Sequence, residues 1–280
     1  MQITVLVDNN TLIGRYFQGE PALSFLLEEN GKKILFDTGY SDAFINNARK
    51  MGINLYDLDY VVLSHGHLDH TWGLSSLIKL FTEATYEKIS FKRPEIIAHP
   101  MTFTSRSKNE LKEIGSILSD SKLARSFNLN LSKNPLWITE KLVFLGEIER
   151  KNKFEGQRVM GQIHLESQTD EDDYMLDDTA LAYKSSKGIV IITCCSHSGI
   201  TNIIEQAKDV CQDNRVLDVI GGFHLLNPSS EQLKYTLDYF NNLKPEVLHP
   251  CHCTDLYSKI ALSQVVNVKE VGIGLKLEYL

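Results

Sequence analysis

Residues 58–73 read Leu58-Asp59-Tyr60-Val61-Val62-Leu63-Ser64-His65-Gly66-His67-Leu68-Asp69-His70-Thr71-Trp72-Gly73. The first six form a largely apolar run that stops at a polar cluster, the pattern of a buried strand. The cluster then packs three histidines and one aspartate into the six positions from His65 to His70. Neutral imidazole and carboxylate are the groups a hard-to-borderline divalent ion binds. A turn whose histidines merely cap and solvate has no need of that density. In an extended segment the side chains at 65, 67 and 69 share a face and His70 points the other way. His65 and His67 could then serve one ion, with Asp69 and His70 on a second a few ångströms away. Gly66 and Gly73 allow the tight backbone such a loop needs. The stretch predicts a metal site at the end of a strand.

The same junction of apolar strand and polar turn recurs along the chain. Upstream, Leu23-Ser24-Phe25-Leu26-Leu27-Glu28 and Lys33-Ile34-Leu35-Phe36-Asp37-Thr38-Gly39 read as a hairpin. Downstream come Asp177-Asp178-Thr179-Ala180-Leu181, Cys195-Ser196-His197-Ser198-Gly199, Gly221-Gly222-Phe223-His224-Leu225 and Pro250-Cys251-His252-Cys253-Thr254. His65, His197, His224 and His252 each follow an apolar strand. Groups at strand ends converge where an α/β sheet opens. Asp37 reads as a carboxylate that orients a ligand histidine from behind.

The His-x-His-x-Asp-His loop after an apolar strand resembles the signature of the metallo-β-lactamase superfamily. The downstream motifs are similar to one branch, the "superfamily II metal-dependent hydrolases", which includes archaeal dihydropterin–ribofuranosylaminobenzene phosphate synthase-like proteins. The resemblance runs over nearly the whole chain and thins between 103 and 170. It implies a four-layer αββα sandwich formed as a single domain over 1–280. It also implies metal ligands at His65, His67, Asp69, His70, His197 and His252, with zinc as the cofactor, one ion or two, and iron or manganese as alternatives. Where most members carry a Gly-Asp whose carboxylate bridges two metals, this chain has Ser196-His197. Where many carry a Gly-His it has Asp177 and Asp178. An imidazole cannot bridge as a carboxylate does, so one metal, or two of unequal affinity, stays open beside full dinuclear occupancy.

The chemistry implied is attack of a metal-bound hydroxide on an ester, lactone or phosphoester-type small molecule. Asp69 and His224 are the catalytic candidates. Asp69 ligates a second ion if there is one, and otherwise orients and deprotonates the water. His224 reads as a ligand, a proton donor or a phosphate contact, and the residues do not choose. His99 before Pro100, and Ser198-Gly199 opening a helix whose free N–H groups could hold a phosphate, are the substrate-binding candidates. His164 and His249 read as surface or packing residues. A thiolate zinc site built from Cys194, Cys195, Cys251 and Cys253 is the lesser reading, because histidines at the same strand ends already supply ligands. Two other functions stay in view. One is a transferase joining a pterin pyrophosphate to an arylamine phosphate, and the other is a sensor that keeps the metal without turnover.

Composition bounds these readings. At 280 residues and 42% hydrophobic, the chain can bury a sizeable core, as one large domain or two closely joined halves. No run approaches the roughly 20 apolar residues of a membrane span, and the polar start lacks the marks of a signal peptide. Five cysteines, an odd number, four of them beside ligand candidates, argue for reduced thiols in a cytoplasm. The net charge of −7 disfavours a nucleic-acid partner and leaves a small molecule, phosphorylated or not.

Periodicity predicts an α/β alternation. Strands are expected over 3–7, 23–28, 33–36, 60–63, 95–98, 137–138, 142–145, 180–183, 188–193, 216–220, 246–248 and 275–280. Helices are expected over 41–51, 73–81, 108–118, 201–210, 230–243 and 256–265. The irregular stretch 103–170 reads either as a solvated helix and loop or as a substrate lid.

Overall fold

The computed structural model describes residues 1–165 and 170–280. In chain order the strands and helices begin with β1 (Gln2–Val7), β2 (Ser24–Glu29), β3 (Lys32–Phe36), α1 (Ala43–Lys50), β4 (Tyr60–Val62), α2 (Leu68–Thr71), α3 (Leu74–Tyr86) and β5 (Glu95–Ala98). They continue with β6 (Ser105–Ser107), α4 (Asp120–Leu123), β7 (Asn128–Leu131), β8 (Leu136–Trp137), β9 (Leu142–Phe144), β10 (Gly161–His164) and β11 (Glu171–Asp173). The last are β12 (Ala180–Ser185), β13 (Gly188–Thr193), α5 (Ile200–Cys211), β14 (Val216–Gly222), α6 (Ser230–Leu243), β15 (Val247–Cys251), α7 (Leu256–Ser263) and β16 (Lys276–Glu278). These group into two compact units. The first is Met1–Ser132 with Met160–Asp173 and Gly272–Tyr279; the second is Lys133–Val159 with Tyr174–Val271 and Leu280.

The first unit holds a seven-stranded sheet in the order β16-β1-β2-β3-β4-β5-β7 and a small sheet β11-β10-β6. Strands β3, β4, β5 and β7 run parallel. Crossovers between parallel neighbours carry α1 and α3, as that connection requires. Helix α3 turns Leu74, Leu77, Leu80, Phe81 and Ala84 inward at three- and four-residue spacing, and the first four join Phe44 of α1 over Leu35, Val61 and Ile96. That stripe is what holds the end of β4 in place.

The second unit holds a six-stranded sheet, β15-β14-β13-β12-β9-β8, in which β13, β14 and β15 are parallel. Every residue of β13 (Gly-Ile-Val-Ile-Ile-Thr) is buried, as expected of a continuous β-branched run in a covered parallel strand. Ile200, Ile203, Ile204, Ala207 and Cys211 of α5 pack into the same core as Phe240 of α6. Ser229 and Asp255 cap α6 and α7 by accepting the N–H of Gln232 and Ser258.

Every predicted strand is present, and the predicted helices are present except one. The stretch 108–118 forms no helix: Lys108 and Leu111 make an isolated bridge, and a short α4 follows at Asp120. Tertiary demand overrides its helix-prone composition. Glu113 accepts the N–H groups of Arg106 and Gly115, Ile114 donates to the carbonyl of Arg106, and the carbonyls of Ile114 and Gly115 accept from Leu68 and the Trp72 indole. The segment serves as a brace for the histidine loop. Strands β6, β7, β10 and β11 were not foreseen; β7 (Asn-Leu-Asn-Leu) does alternate but over four residues only, and the charged and polar residues of the other three carry no alternation of period two. No helix among the described residues is long and apolar enough to cross a membrane.

Candidate metal centre

Parallel pairing brings the C-terminal ends of β3, β4 and β5 side by side, and these ends deliver Asp37, Ser64-His65 and His99. Asp37 holds a left-handed backbone at φ +57. Its carboxylate accepts the backbone N–H of Ser64 at 2.7 Å, the Ser64 hydroxyl at 2.6 Å and Nδ1–H of His70 at 2.6 Å. Asp37 therefore orients a loop histidine from behind, as the sequence predicts. The Ser64 hydroxyl has one proton and it goes to Asp37, so His65 Nδ1–H donates to Ser64 Oγ at 2.9 Å. That fixes the tautomer of His65 and turns the lone pair of Nε2 toward His67.

The loop departs from the extended form expected for it. His67 is the last extended residue, and Leu68–Thr71 make a helical turn. Asp69 and His70 are thus consecutive residues of a helix, brought together by the turn and not by strand alternation. The two pairs of donors are nonetheless close-set. His65 Nε2 lies 3.2 Å from His67 Nδ1, and Asp69 Oδ2 lies 3.3 Å from His70 Nε2. Two donors on one tetrahedral zinc, each about 2.0–2.2 Å from the ion, sit about 3.3–3.5 Å apart. Both separations fit.

Electrostatics separate the loop histidines. Burial, with the neighbouring His70 and His67, holds His65 well below the usual imidazole value, so it is neutral. Burial opposes the charge on His70 too, yet Asp69 and Asp37 outweigh it and raise the group to about 10. His70 Nε2 and Asp69 would be the donors that face a divalent ion there, with Nδ1–H kept on Asp37.

Gly66 is required by close approach. A Cβ there would stand 2.0 Å from Nη1 of Arg106 and 2.3 Å from the carbonyl of Thr102. Arg106 is fully buried, pairs with Asp173 at 2.9 Å and donates to the carbonyls of Thr104 and Met101. Nothing in the sequence marked it, because an arginine in a charged stretch normally reads as solvated surface. His99 is also fully buried, its Nδ1 accepting the N–H of Met101 at 3.1 Å, so it does not stand at an open cleft edge.

In the second unit the ends of β13, β14 and β15 lie together in the same way and deliver His197, His224 and His252. Ser196, His224 and His252 take left-handed backbone at φ +59, +53 and +51. Such conformations in residues other than glycine concentrate at functional sites. The rings of His197 and His224 lie 4.3 Å apart. Cys195 Sγ is 3.4 Å from Cys253 Sγ and 3.8 Å from His224 Nδ1, so the Cys195–Cys253 half of the thiolate reading is close-set. Burial opposes ionisation of Cys253, but hydrogen bonds with Cys195 and His224 outweigh it and hold the thiol well below its usual value. His249 pairs with the buried Asp218 at 2.8 Å, a packing role, and in the first unit His164 bridges Asp170 and Ser107 at the surface.

The anion cradle expected at Ser198-Gly199 is filled from within. The Ser198 N–H and hydroxyl both donate to Asp178, and the N–H groups of Thr201 and Asn202 donate to Glu155, as does the Thr201 hydroxyl. Asp178 and Glu155 occupy the donors that the phosphate role expected at Ser198-Gly199 would use. Burial raises Asp178 to about 6 and Glu155 to about 7, against the hydrogen bonds that lower them. A carboxyl moved from its usual 4.5 to about 7 adds stability below pH 4.5 that is lost as the pH rises through 7. The loss is about 3 kcal/mol. Glu155→Gln is therefore expected to match the parent near pH 4.5 in urea unfolding and to exceed it at pH 8. Parallel pH profiles for the two proteins would refute this.

Comparison with known proteins agrees with this architecture. The family model described as the Metallo-beta-lactamase superfamily matches residues 18–150. The 7,8-dihydropterin-6-methyl-4-(beta-D-ribofuranosyl)-aminobenzene-5'-phosphate synthase of Methanocaldococcus jannaschii is 31% identical over 252 residues, 85% of this chain and 82% of the synthase. An uncharacterized protein of the same archaeon is 29% identical over 97% of this chain and 98% of its own length. The crystal structure of Tm1679, a metal-dependent hydrolase of the beta-lactamase superfamily, superposes with a TM-score of 0.82 at 28% identity, covering 99% of this chain and 98% of that one. With a named synthase and a named hydrolase so similar over most of their lengths, the reading as a sensor without turnover falls away, and the chain belongs to the metallo-beta-lactamase superfamily of enzymes.

Proposed function

We propose that the protein is a metal-dependent hydrolase of ester, lactone or phosphoester-type small molecules, with His65, His67, Asp69 and His70 as its principal metal ligands. The observation that carries this is the pair of donor separations in one loop, 3.2 Å for His65 and His67 and 3.3 Å for Asp69 and His70. His197 and His252 are proposed as further ligands on their motif match. The donor set is nitrogen and oxygen, which suits zinc and also admits iron or manganese. A bound divalent ion would lower the pKa of a water and polarise the electrophile, so no serine or cysteine nucleophile is needed.

The residues divide the remaining work. Asp37 and Ser64 set the tautomers of His70 and His65 and so aim one nitrogen of each away from the strand ends. Asp69 is a quarter exposed, which suits a carboxylate that also meets solvent or substrate. His224 keeps Nδ1 on Cys195, so Nε2 is the nitrogen through which it would donate a proton. The setting is proposed to be reducing and cytoplasmic, where five cysteines stay thiols.

A second reading has an observation of its own, the 31% identity to the archaeal synthase. On that reading the same site binds a pyrophosphate leaving group and an arylamine phosphate. Metal analysis of protein purified without chelator is expected to find about one to two equivalents of a transition metal. Turnover of a phosphodiester, ester or lactone, with water as the only acceptor, would support the hydrolase. Pyrophosphate release that requires an amine would establish the transferase instead. Protein that stays metal-free after reconstitution would overturn both.

A further inference from the structure

Cys195, His224 and Cys253 come from three separate segments of the second unit, after β13, after β14 and after β15. One donor atom from each lies within 4.8 Å of the other two. Cys195 Sγ stands 3.4 Å from Cys253 Sγ and 3.8 Å from His224 Nδ1. Around a tetrahedral zinc with Zn–S near 2.3 Å and Zn–N near 2.05 Å, two sulfurs lie about 3.8 Å apart and a sulfur and nitrogen about 3.6 Å apart. The sulfur–sulfur spacing is about 0.4 Å short of its value and the Cys195–His224 spacing about 0.2 Å long, so those two edges need shifts of only a few tenths of an ångström. We propose that Cys195, Cys253 and Nδ1 of His224 form a binding site for a thiophilic metal ion of the zinc type, carried wholly by the second unit.

The backbone is shaped to bring these groups together. His224 is held in the left-handed region at φ +53, as are the neighbours of the two cysteines, Ser196 at +59 and His252 at +51. Each of these turns bends the chain directly after a parallel strand and so swings a donor inward. Gly222 completes the arrangement. A Cβ there would lie 2.6 Å from Cys253 Sγ and 2.4 Å from the carbonyl of Cys194, so the sulfur sits in space that only glycine leaves. Two thiolates with one imidazole are a soft donor set that selects zinc or copper(I) over magnesium or calcium. Three protein donors leave the fourth tetrahedral position for an exogenous ligand, the arrangement of zinc sites that do more than hold a fold together. Binding takes the thiolate form of both cysteines and releases their protons to solvent.

Cobalt(II) tests this separately from the histidine loop, because thiolate ligation produces an intense near-ultraviolet charge-transfer band and nitrogen–oxygen ligation does not. Metal-free, reduced, full-length protein titrated with cobalt(II) is expected to develop that band, saturating at about one equivalent. The band should persist in His67→Ala, fall by about half in Cys195→Ser or Cys253→Ser, and vanish in the double variant, as expected of one thiolate ligand per cysteine. Zinc added to the unaltered protein should shield both thiols from a thiol reagent, a readout that needs no variant to fold. Cobalt bound without the band, or a band that survives in the double variant, would overturn the site. Unchanged thiol reactivity in zinc, or a Cys195–Cys253 disulfide that forms despite excess zinc, would overturn it as well. Failure of the hydrolase reading would show as absent turnover and leave the band untouched.

Discussion

Asp69→Ala is expected to remove turnover and about half of the bound metal, because it deletes one donor of the Asp69–His70 pair and leaves the His65–His67 pair intact. The two pairs differ in how they are supported. His65 is neutral by burial and has its tautomer set by Ser64, so that pair stands without Asp69. The Coulombic attraction of Asp69 is the largest single contribution raising the pKa of His70, and Asp37 raises it as well. With Asp69 gone, His70 loses its carboxylate partner in the loop, and imidazoles alone hold the ion weakly. If a single ion sits on His65 and His67, the metal stays and the rate falls by about 10²–10⁴-fold, the contribution of a positioned acid–base group. Stoichiometry and turnover measured on one sample separate these outcomes. Full metal with undiminished turnover would remove Asp69 from the chemistry under either version.

Arg106→Met is expected to cost about 3–5 kcal/mol in stability, the penalty for leaving one partner of a buried ion pair behind. Both side chains are sealed, with 0% exposure at Arg106 and 3% at Asp173, and the pair is a 2.9 Å contact. The guanidinium also satisfies the carbonyls of Thr104 and Met101, which methionine cannot. Its Nη1 sits directly beneath Gly66, so the loss reaches the histidine loop, and weaker metal retention should accompany the lower stability. Urea midpoints provide the measurement, with the slope checked for constancy. Adding Asp173→Asn should recover part of the loss, since the stranded charge is then gone. A single variant within ~0.5 kcal/mol of the parent, the range of ordinary surface substitutions, would show that water relaxes around Asp173.

How much of this was legible in one dimension follows from the range of each interaction. The strand before His65, the hairpin of β2 and β3, the run of β13 and the stripe of α5 are local patterns of period two or 3.6. They need only their own residues to declare them. Ligand types in the His65–His70 loop are local too, and so is the close setting of its two donor pairs, although a helical turn produces it where an extended strand was expected. The brace at 108–118 was misread because its helix-prone residues are used to satisfy Leu68, Trp72 and Arg106, partners that composition does not reveal. Glu155 was not seen as the anion at the start of α5, since 45 residues separate it from Ile200 and any carboxylate in the chain could have filled that place. Arg106, Asp173 and the Cys195–His224–Cys253 cluster share this character. The sequence by itself determined the longer strands and helices and marked which residue types could serve a metal, because periodicity and ligand type are properties of neighbours. Only the tertiary structure decided which buried charges are paired, which donors are already taken and which thiols meet, because those depend on strand order, and pairing between distant segments leaves no periodic trace along the chain.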